Sequence, residues 1–212
     1  MSIRQLSEFA EMYVKFDVPF WCQSRIETIQ DKKIEILKQM NCNRMSVGIE
    51  HGNEKFRKKI LNKDFTNKQV IKAFKILDKH QLKVSVNNVI GFPDETRKLV
   101  FDTIKLNRKI KFDSINGFVF QPYRGTKLRE YCKEKGYLKD ENISDNLIGH
   151  SILEMPQLSR DEIEGLLRTF VLYVKLPKKY YKDIKVAEQL NEEGNNMLNK
   201  LKPILYKNYF KE

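Results

Sequence analysis

The sequence predicts an α/β fold, one side of a parallel (β/α) barrel followed by a C-terminal α-helical region. Three segments carry that prediction. Each is a short apolar strand that breaks into Gly-, Pro- or acid-containing loop chemistry and then opens a helix. They are Arg44-Met-Ser-Val-Gly-Ile-Glu-His-Gly-Asn-Glu54, Val84-Ser-Val-Asn-Asn-Val-Ile-Gly-Phe-Pro-Asp-Glu-Thr96 and Phe118-Val-Phe-Gln-Pro-Tyr-Arg-Gly-Thr-Lys-Leu128. Parallel βα units gather ligands at the carboxyl ends of their strands, and these segments concentrate their polar residues there.

Taken in order, Leu6, Phe9, Ala10 and Tyr13 form a helical stripe within Ile3 to Tyr13. Pro19 closes that segment, and Phe20 to Arg25 reads as the first strand. Gln30-Asp31 starts a helix whose buried face is Ile34, Leu37 and Met40, stopping near Asn41-Cys-Asn43. The strand Met45 to Glu50 follows, then a short basic helix over Asn53 to Leu61. Thr66-Asn67 caps a longer helix with Val70, Ile71, Phe74 and Leu77 on one face. Val84 to Gly91 is the third strand. Asp94-Glu-Thr96 starts the next helix, with its acids set against the positive helix end, and the helix runs to about Ile110. Ile115 to Phe120 is the fourth strand, and Gly125-Thr126 opens a helix stopped at Gly136. This alternation builds a parallel sheet with helical crossovers. Four strands are too few to close an eight-stranded barrel.

After Gly136 the pattern changes. Lys139 to Gly149 is polar and predicts a loop. Ser159-Arg-Asp-Glu162 has capping-box spacing ahead of Ile163, Leu166, Leu167, Phe170, Val171 and Val174, and Pro177 ends that helix. The Lys-, Asn- and Tyr-rich stretch to Glu212 predicts short helices with a weak apolar face and partial mobility. The expected division is 1–137 for the barrel part and 138–212 for the helical extension.

Composition bounds the function. In 212 residues, an apolar fraction of 41% with 13 Phe is ample for a packed core and excludes global disorder. No apolar run approaches the length of a membrane span and none resembles a signal peptide, so a cytoplasmic protein without membrane attachment is expected. The net charge of +12 comes from lysines spread over nearly every helix, and the densest pockets, Arg57-Lys-Lys59 and Lys178-Lys179, are short. That distribution predicts a solvated exterior more than a nucleic-acid surface. Cys22, Cys42 and Cys132 are far apart in sequence, so neither a disulfide framework nor a one-loop metal site is implied, and three reduced thiols are expected. His51, His80 and His150 form no ligand pair at helical spacing, and His80 is expected to cap a helix C-terminus.

Four pieces in order carry a family resemblance: Pro19-Phe-Trp-Cys-Gln-Ser-Arg25, Ser46-Val-Gly-Ile-Glu-His-Gly-Asn53, Val89-Ile-Gly-Phe-Pro-Asp-Glu-Thr96 and Pro122-Tyr-Arg-Gly-Thr-Lys-Leu128. Together they resemble the C-terminal part of the radical S-adenosylmethionine (radical SAM) enzymes, most of all the branch whose members carry a cobalamin-binding domain upstream. The likeness continues through the connecting helices into Pro156-Gln-Leu-Ser159 and the helix after it. It implies the later four strands of a six-stranded, TIM-like barrel. Enzymes of this kind hold a [4Fe–4S] cluster on a Cys-x3-Cys-x2-Cys loop after the first strand. They cleave S-adenosylmethionine to a 5′-deoxyadenosyl radical that modifies the substrate, in some members with cobalamin.

This chain departs from the family pattern. It has no such cysteine triplet, no counterpart of the first two strands and no Gly-Gly-Glu stretch for the methionyl amine. The chain is therefore expected to be a fragment, a truncated gene product or an engineered half that does not hold the cluster and is inactive alone. The alternative is a non-catalytic module that docks on a chain supplying the missing strands. The substrate is not legible.

Mapped by position, the resemblance implies cofactor contacts at Arg25, Glu50, His51, Asn87, Val89, Gly91 and Gln121. Arg25 suits the methionyl carboxylate bidentately, or a surface ion pair with Glu27 or Glu50. Glu50 suits ribose hydroxyls or the methionyl ammonium, or else caps the helix after Asn53. His51 stands where relatives commonly have Ser and donates from a ring nitrogen. Asn87 shares a strand face with Ser85 and Val89 that the resemblance turns toward the barrel interior. Val89, Ile90 and Gly91 suit a flat adenine edge, with a simple turn as the other role for Gly91. Glu95 serves helix capping or loop bracing. Gln121 and Tyr123 flank Pro122, where backbone groups reach adenine, and Arg124 stands where Pro is usual.

Overall fold

Helix starts in this chain are fixed by side chains that satisfy the first backbone N–H groups. Ser2 with Gln5, Thr66 with Gln69 and Ser159 with Glu162 each form a reciprocal capping box. The computed structural model describes residues 1–139 and 150–209; the loop expected up to Gly149 falls almost wholly outside the described residues. The elements are α1 (Ile3–Tyr13), β1 (Phe20–Ser24), α2 (Asp31–Gln39), β2 (Cys42–Glu50), α3 (Glu54–Leu61), α4 (Asn67–Lys79), β3 (Lys83–Ile90), α5 (Arg97–Asn107), β4 (Ser114–Val119), α6 (Lys127–Glu134), α7 (Arg160–Lys175), α8 (Tyr181–Ala187) and α9 (Glu192–Tyr209).

The four strands form one sheet in the order β1-β2-β3-β4. β1 pairs parallel with β2 and β2 parallel with β3. The Asp113 N–H donates to the Val84 carbonyl and the Phe120 N–H to the Ile90 carbonyl, so β4 advances in step with β3 and is parallel too. Sequential parallel strands with helical connections are the α/β arrangement expected of a partial (β/α) barrel.

The chain divides into two compact units. One comprises Met1–Glu50, Glu54–Asn88 and Lys109–Asn116; the other comprises His51–Asn53, Val89–Arg108 and Gly117–Glu212. In the first, Met45, Val47 and Ile49 on β2 and Val84 and Val86 on β3 are buried, as are Ile34 of α2 and Val70, Phe74 and Leu77 of α4. Leu6 and Ala10 of α1 join Ile36 and Met40 in a smaller cluster covered by Tyr13, Phe20 and Leu37.

In the second unit, Ile163, Leu166, Phe170 and Tyr173 of α7 are buried, together with Val100 and Ile104 of α5. Arg108 donates to the carbonyls of Tyr173, Val174 and Leu176, closing the C-terminal end of α7, where unpaired carbonyls accumulate negative charge.

Three expectations are corrected. Asp94-Glu-Thr96 does start α5, with Thr96 at its N-cap, but its acids serve elsewhere than the helix end: the buried Glu95 carboxylate accepts from the Gly91 and Phe92 N–H groups, the loop-bracing role, and Asp94 accepts from the Tyr131 and Tyr137 hydroxyls. Arg57 is no part of a basic exterior. It is buried, its guanidinium 4.1 Å from the Phe65 ring centroid and bonded to Asn67 and the Phe65 carbonyl. The C-terminal stretch is not only short helices: α9 runs 18 residues through Pro203, with Leu201 and Leu205 buried.

Candidate functional site

In the first unit the carboxyl ends of β1 and β2 open onto a cavity of about 650 Å³, a volume within the range of small-molecule sites, about 300–1,000 Å³. Cys22 and Ser24 line it from one face of β1 and Gln23 from the other, with Arg25 just beyond the strand. Because β1 is the end strand of the sheet, a cavity touching both of its faces passes round its unpaired edge. Leu6, Phe9, Phe20 and Leu37 supply apolar wall; Ser46, Glu50, Lys63 and Asn87 supply polar wall.

The polar wall grows from alternation along the strands. Ser46 and Asn87 face the same side of the sheet, and the Asn87 amide donates to Ser46 Oγ at 2.9 Å while its oxygen accepts from Asn116 at 2.9 Å. One step nearer the amino ends, Arg44 lies 5.0 Å from the Trp21 ring and donates to Ser85 at 3.3 Å and Ser114 at 3.2 Å.

Glu50 ends β2 with φ +63°, a left-handed conformation uncommon for a residue with a side chain. That turn folds its carboxylate back over Gly48, where an added Cβ would lie 2.1 Å from Glu50 Oε1. Glycine at 48 leaves open the space that this carboxylate occupies.

Charge at the cavity alternates in sign. Arg25 pairs with Glu27 at 2.8 Å and Lys63 pairs with Glu50 at 2.9 Å. Burial pushes the Glu27 carboxyl up, but hydrogen bonds from its own backbone and Arg25, with the charges of Arg25 and Lys63, hold it below the usual value. Lys63 therefore acts on both acids. Two cations and two anions at a partly open rim can exchange partners with a ligand that carries both signs. Of the two ion pairs, Arg25–Glu27 is one the sequence offered, whereas Lys63 escaped the sequence reading. Lys63 is one lysine among many and meets Glu50 only through the fold.

Of the sequence-predicted residues, Arg25, Glu50 and Asn87 come together at this cavity. His51, Val89, Gly91 and Gln121 belong to the second unit. There His51 is fully buried; its Nδ1 accepts from the Asn53 N–H at 3.0 Å, so Nε2 carries the proton and faces Glu95 Oε1 at 3.0 Å. Glu95 Oε2 accepts from the N–H groups of Gly91 at 2.5 Å and Phe92 at 3.1 Å. Gly91, at φ +83°, makes the turn that wraps this loop round the carboxylate. Val89 is half-buried. Gln121 is buried, its Nε2 3.4 Å from the His150 carbonyl, and its Oε1 has no hydrogen-bond partner among the described residues.

The iron–sulfur cluster does not fit these residues. Among the described residues no three His, Cys, Asp or Glu side chains gather to hold a metal. The sequence has only three cysteines, at 22, 42 and 132, whose spacing cannot supply a three-thiolate loop. Nor is any described helix long and apolar enough to cross a membrane.

Residues 6–106 match the model of the Radical SAM superfamily. An uncharacterised methyltransferase of Pyrococcus horikoshii is 30% identical over 169 residues, covering 79% of this chain and 37% of the relative. The solved radical SAM coproporphyrinogen III oxidase of Escherichia coli superposes with a TM-score of 0.60 at 14% identity, over 84% of this chain and 38% of the enzyme. The radical S-adenosylmethionine methyltransferase TsrM of Kitasatospora setae, solved with cobalamin and a [4Fe–4S] cluster, superposes with a TM-score of 0.53 at 14% identity, over 74% of this chain and 29% of the enzyme. At such identities these likenesses speak to the fold. The chain spans well under half the length of each of these proteins. The sequence match over residues 6–106 makes that part of the chain a member of the Radical SAM superfamily.

Proposed function

We propose that this chain is the later part of a radical SAM enzyme's barrel (1–137) with a helical extension (138–212), and that its cavity takes the methionyl end of S-adenosylmethionine. The observation that carries this is the alternating rim of Arg25, Glu27, Lys63 and Glu50 at the carboxyl ends of β1 and β2. A methionyl group presents one carboxylate and one ammonium, the pair of charges such a rim can re-pair with. Arg25 and Lys63 hold the carboxylate; Glu50 accepts from the ammonium or the ribose hydroxyls; Asn87 and Ser46 supply amide and hydroxyl. When bound, S-adenosylmethionine supplies the family's radical chemistry. His51 and Glu95 brace the Gly91 loop and leave contact to others. In the second unit the buried Gln121 Oε1 is an acceptor for an amino group.

The cluster ligands, in this reading, come from residues outside this sequence, and the chain alone is inactive. Cobalamin dependence of the complete enzyme is supported by the likeness to TsrM, and methyl-group chemistry by the methyltransferase relative. The working compartment is the cytoplasm.

Calorimetric titration of the 212-residue protein with S-adenosylmethionine tests this. Saturable binding is expected, weakened about tenfold by Glu50→Gln, the effect of losing roughly 1.4 kcal/mol from a charged hydrogen bond. Binding absent at millimolar ligand, or indifferent to that substitution and to Lys63→Met, would overturn the assignment.

A second reading has its own observation. The cavity rounds the edge of β1, and Met12, Phe16, Val18 and Trp21 are exposed beside that strand in sequence. An uncovered strand edge flanked by apolar side chains is a template for another strand. We infer that a segment or chain carrying the missing strands pairs there. A monodisperse monomer in light scattering at high concentration would remove the case for self-association at that edge. Failure of an added N-terminal barrel half to bind would remove the case for the complement.

A further inference from the structure

Two of the three cysteines meet although twenty residues separate them in the chain. Cys22 of β1 and Cys42 of β2 stand with their sulfurs 3.7 Å apart, a hydrogen-bonded thiol pair. β1 and β2 shift register between Phe20 and Trp21, so Phe20 stands opposite Cys42 and Cys22 opposite Met45. In this register the two cysteines stand diagonally across the strand pair, so bonding requires β1 to shift along β2 as the sulfurs close from 3.7 Å to about 2.05 Å. Cys22 lines the cavity and is half-buried, so a small oxidant reaches the pair from that side; Cys42 is sealed at 2% exposure.

We propose that Cys22 and Cys42 are a redox-modification site: a peroxide entering the cavity oxidises the pair to an intrachain disulfide, which locks the edge strand β1 onto β2. One sulfur, as thiolate, attacks a peroxide oxygen and breaks the O–O bond. It becomes a sulfenic acid and the other oxygen leaves as water. The second sulfur then displaces the sulfenic oxygen, also lost as water. Two thiols and one hydrogen peroxide give one disulfide and two waters, with two electrons passing from sulfur to oxygen. The hydrogen bond to Cys42 pushes the Cys22 thiol up, with burial adding to it; the hydrogen bond from Cys22 holds Cys42 low against burial, helped by the backbone at Arg44 and the Lys38 charge. Nothing in this pairing depends on what ligand the cavity takes.

Anaerobically reduced protein treated with stoichiometric hydrogen peroxide, then denatured and alkylated, provides the test by peptide mass mapping. Expected is loss of two alkylatable thiols, a Cys22–Cys42 linked peptide lighter by two hydrogens, and full reversal by dithiothreitol. Cys132→Ser leaves this unchanged, while Cys22→Ser and Cys42→Ser each abolish it. A rise of about 5–10 °C in the melting temperature is expected on oxidation, from closing a loop of this size. Three alkylatable thiols after peroxide, a bond that involves Cys132, or a link between chains would each overturn the site. A correct bond with an unchanged melting temperature would overturn the locking of β1. If a serine variant fails to fold, the wild-type peptide map alone decides.

Discussion

The two units treat charge in opposite ways. At the first unit's cavity, Glu50 and Lys63 keep 23% and 28% of their side chains exposed and pair with each other. In the second unit Glu95 and His51 are wholly sealed, and Glu188, 6% exposed, is gripped by Arg97, Lys185 and Tyr173 together. A charge with several short bonds and no water access is scaffold, because any rearrangement strands it in a low-dielectric interior. A charge with one bond and a wet side can change partner at small cost. The contrast separates residues available to a ligand in the first unit from residues that hold the second unit's own scaffold.

The largest effect should come from the sealed network of the second unit. Glu188→Ala leaves the Arg97 guanidinium and the Tyr173 hydroxyl without their shared acceptor, and is expected to cost about 3–5 kcal/mol in urea denaturation. Burial pushes the Glu188 carboxyl up, yet hydrogen bonds from Arg97, Lys185 and Tyr173 carry it below the ordinary carboxylate value. A carboxyl lowered by folding contributes stability that is fully present above its unfolded pKa and is lost as pH falls through the folded value. Acid should therefore weaken wild type across the range below the normal carboxylate pKa and weaken Glu188→Gln much less there. Matching acid profiles for the two proteins would deny that Glu188 is scaffold.

Next in size is Glu95. Glu95→Ala removes the acceptor for the Gly91 and Phe92 N–H groups and for His51, and should cost about 2–3 kcal/mol. Glu50→Ala, by contrast, should change stability by no more than about 1 kcal/mol, because a partly exposed pair is worth little. A stability loss at Glu50 as large as at Glu95 would collapse the distinction between the two units' charges.

The fold was legible because its signals are local. Ser2, Thr66 and Ser159 announce their helices through a residue three positions on, and the strands announce themselves by apolar runs ending in Gly or Pro. Glu50, Arg25 and Asn87 were legible as strand-end polar residues. What was not legible depends on the third dimension. Lys63 lies between α3 and α4 and acquires its role only when the chain brings it to Glu50. Arg57 sits in a basic triplet, and nothing nearby in sequence says that Phe65 and Asn67 will bury it. Cys22 and Cys42 look unrelated until β1 and β2 pair and bring their sulfurs within 3.7 Å. Glu95 has the sequence of a helix-start acid, but its carboxylate finds the Gly91 and Phe92 N–H groups first.

The smallest expected effect is spectroscopic and sharpens the same contrast within the second unit. Asp94, at φ +62°, accepts hydrogen bonds from the hydroxyls of both Tyr131 and Tyr137. The hydrogen bond to Asp94 comes first among the causes that push the Tyr131 phenol up to about 12, with burial and the Asp94 charge behind it. A phenol raised by folding contributes stability present below its unfolded pKa and lost as pH climbs through the folded value. The loss should therefore fall between the ordinary phenol range and pH 12. Carbon NMR of labelled tyrosine rings should show the Tyr131 resonance among those that titrate late in wild type, and Tyr131 and Tyr137 moving back toward the ordinary phenol value in Asp94→Asn, with little change in overall fold. An unmoved late titration in that variant would mean that burial holds the proton, and Asp94 would then be a turn residue whose charge does no work on its neighbours.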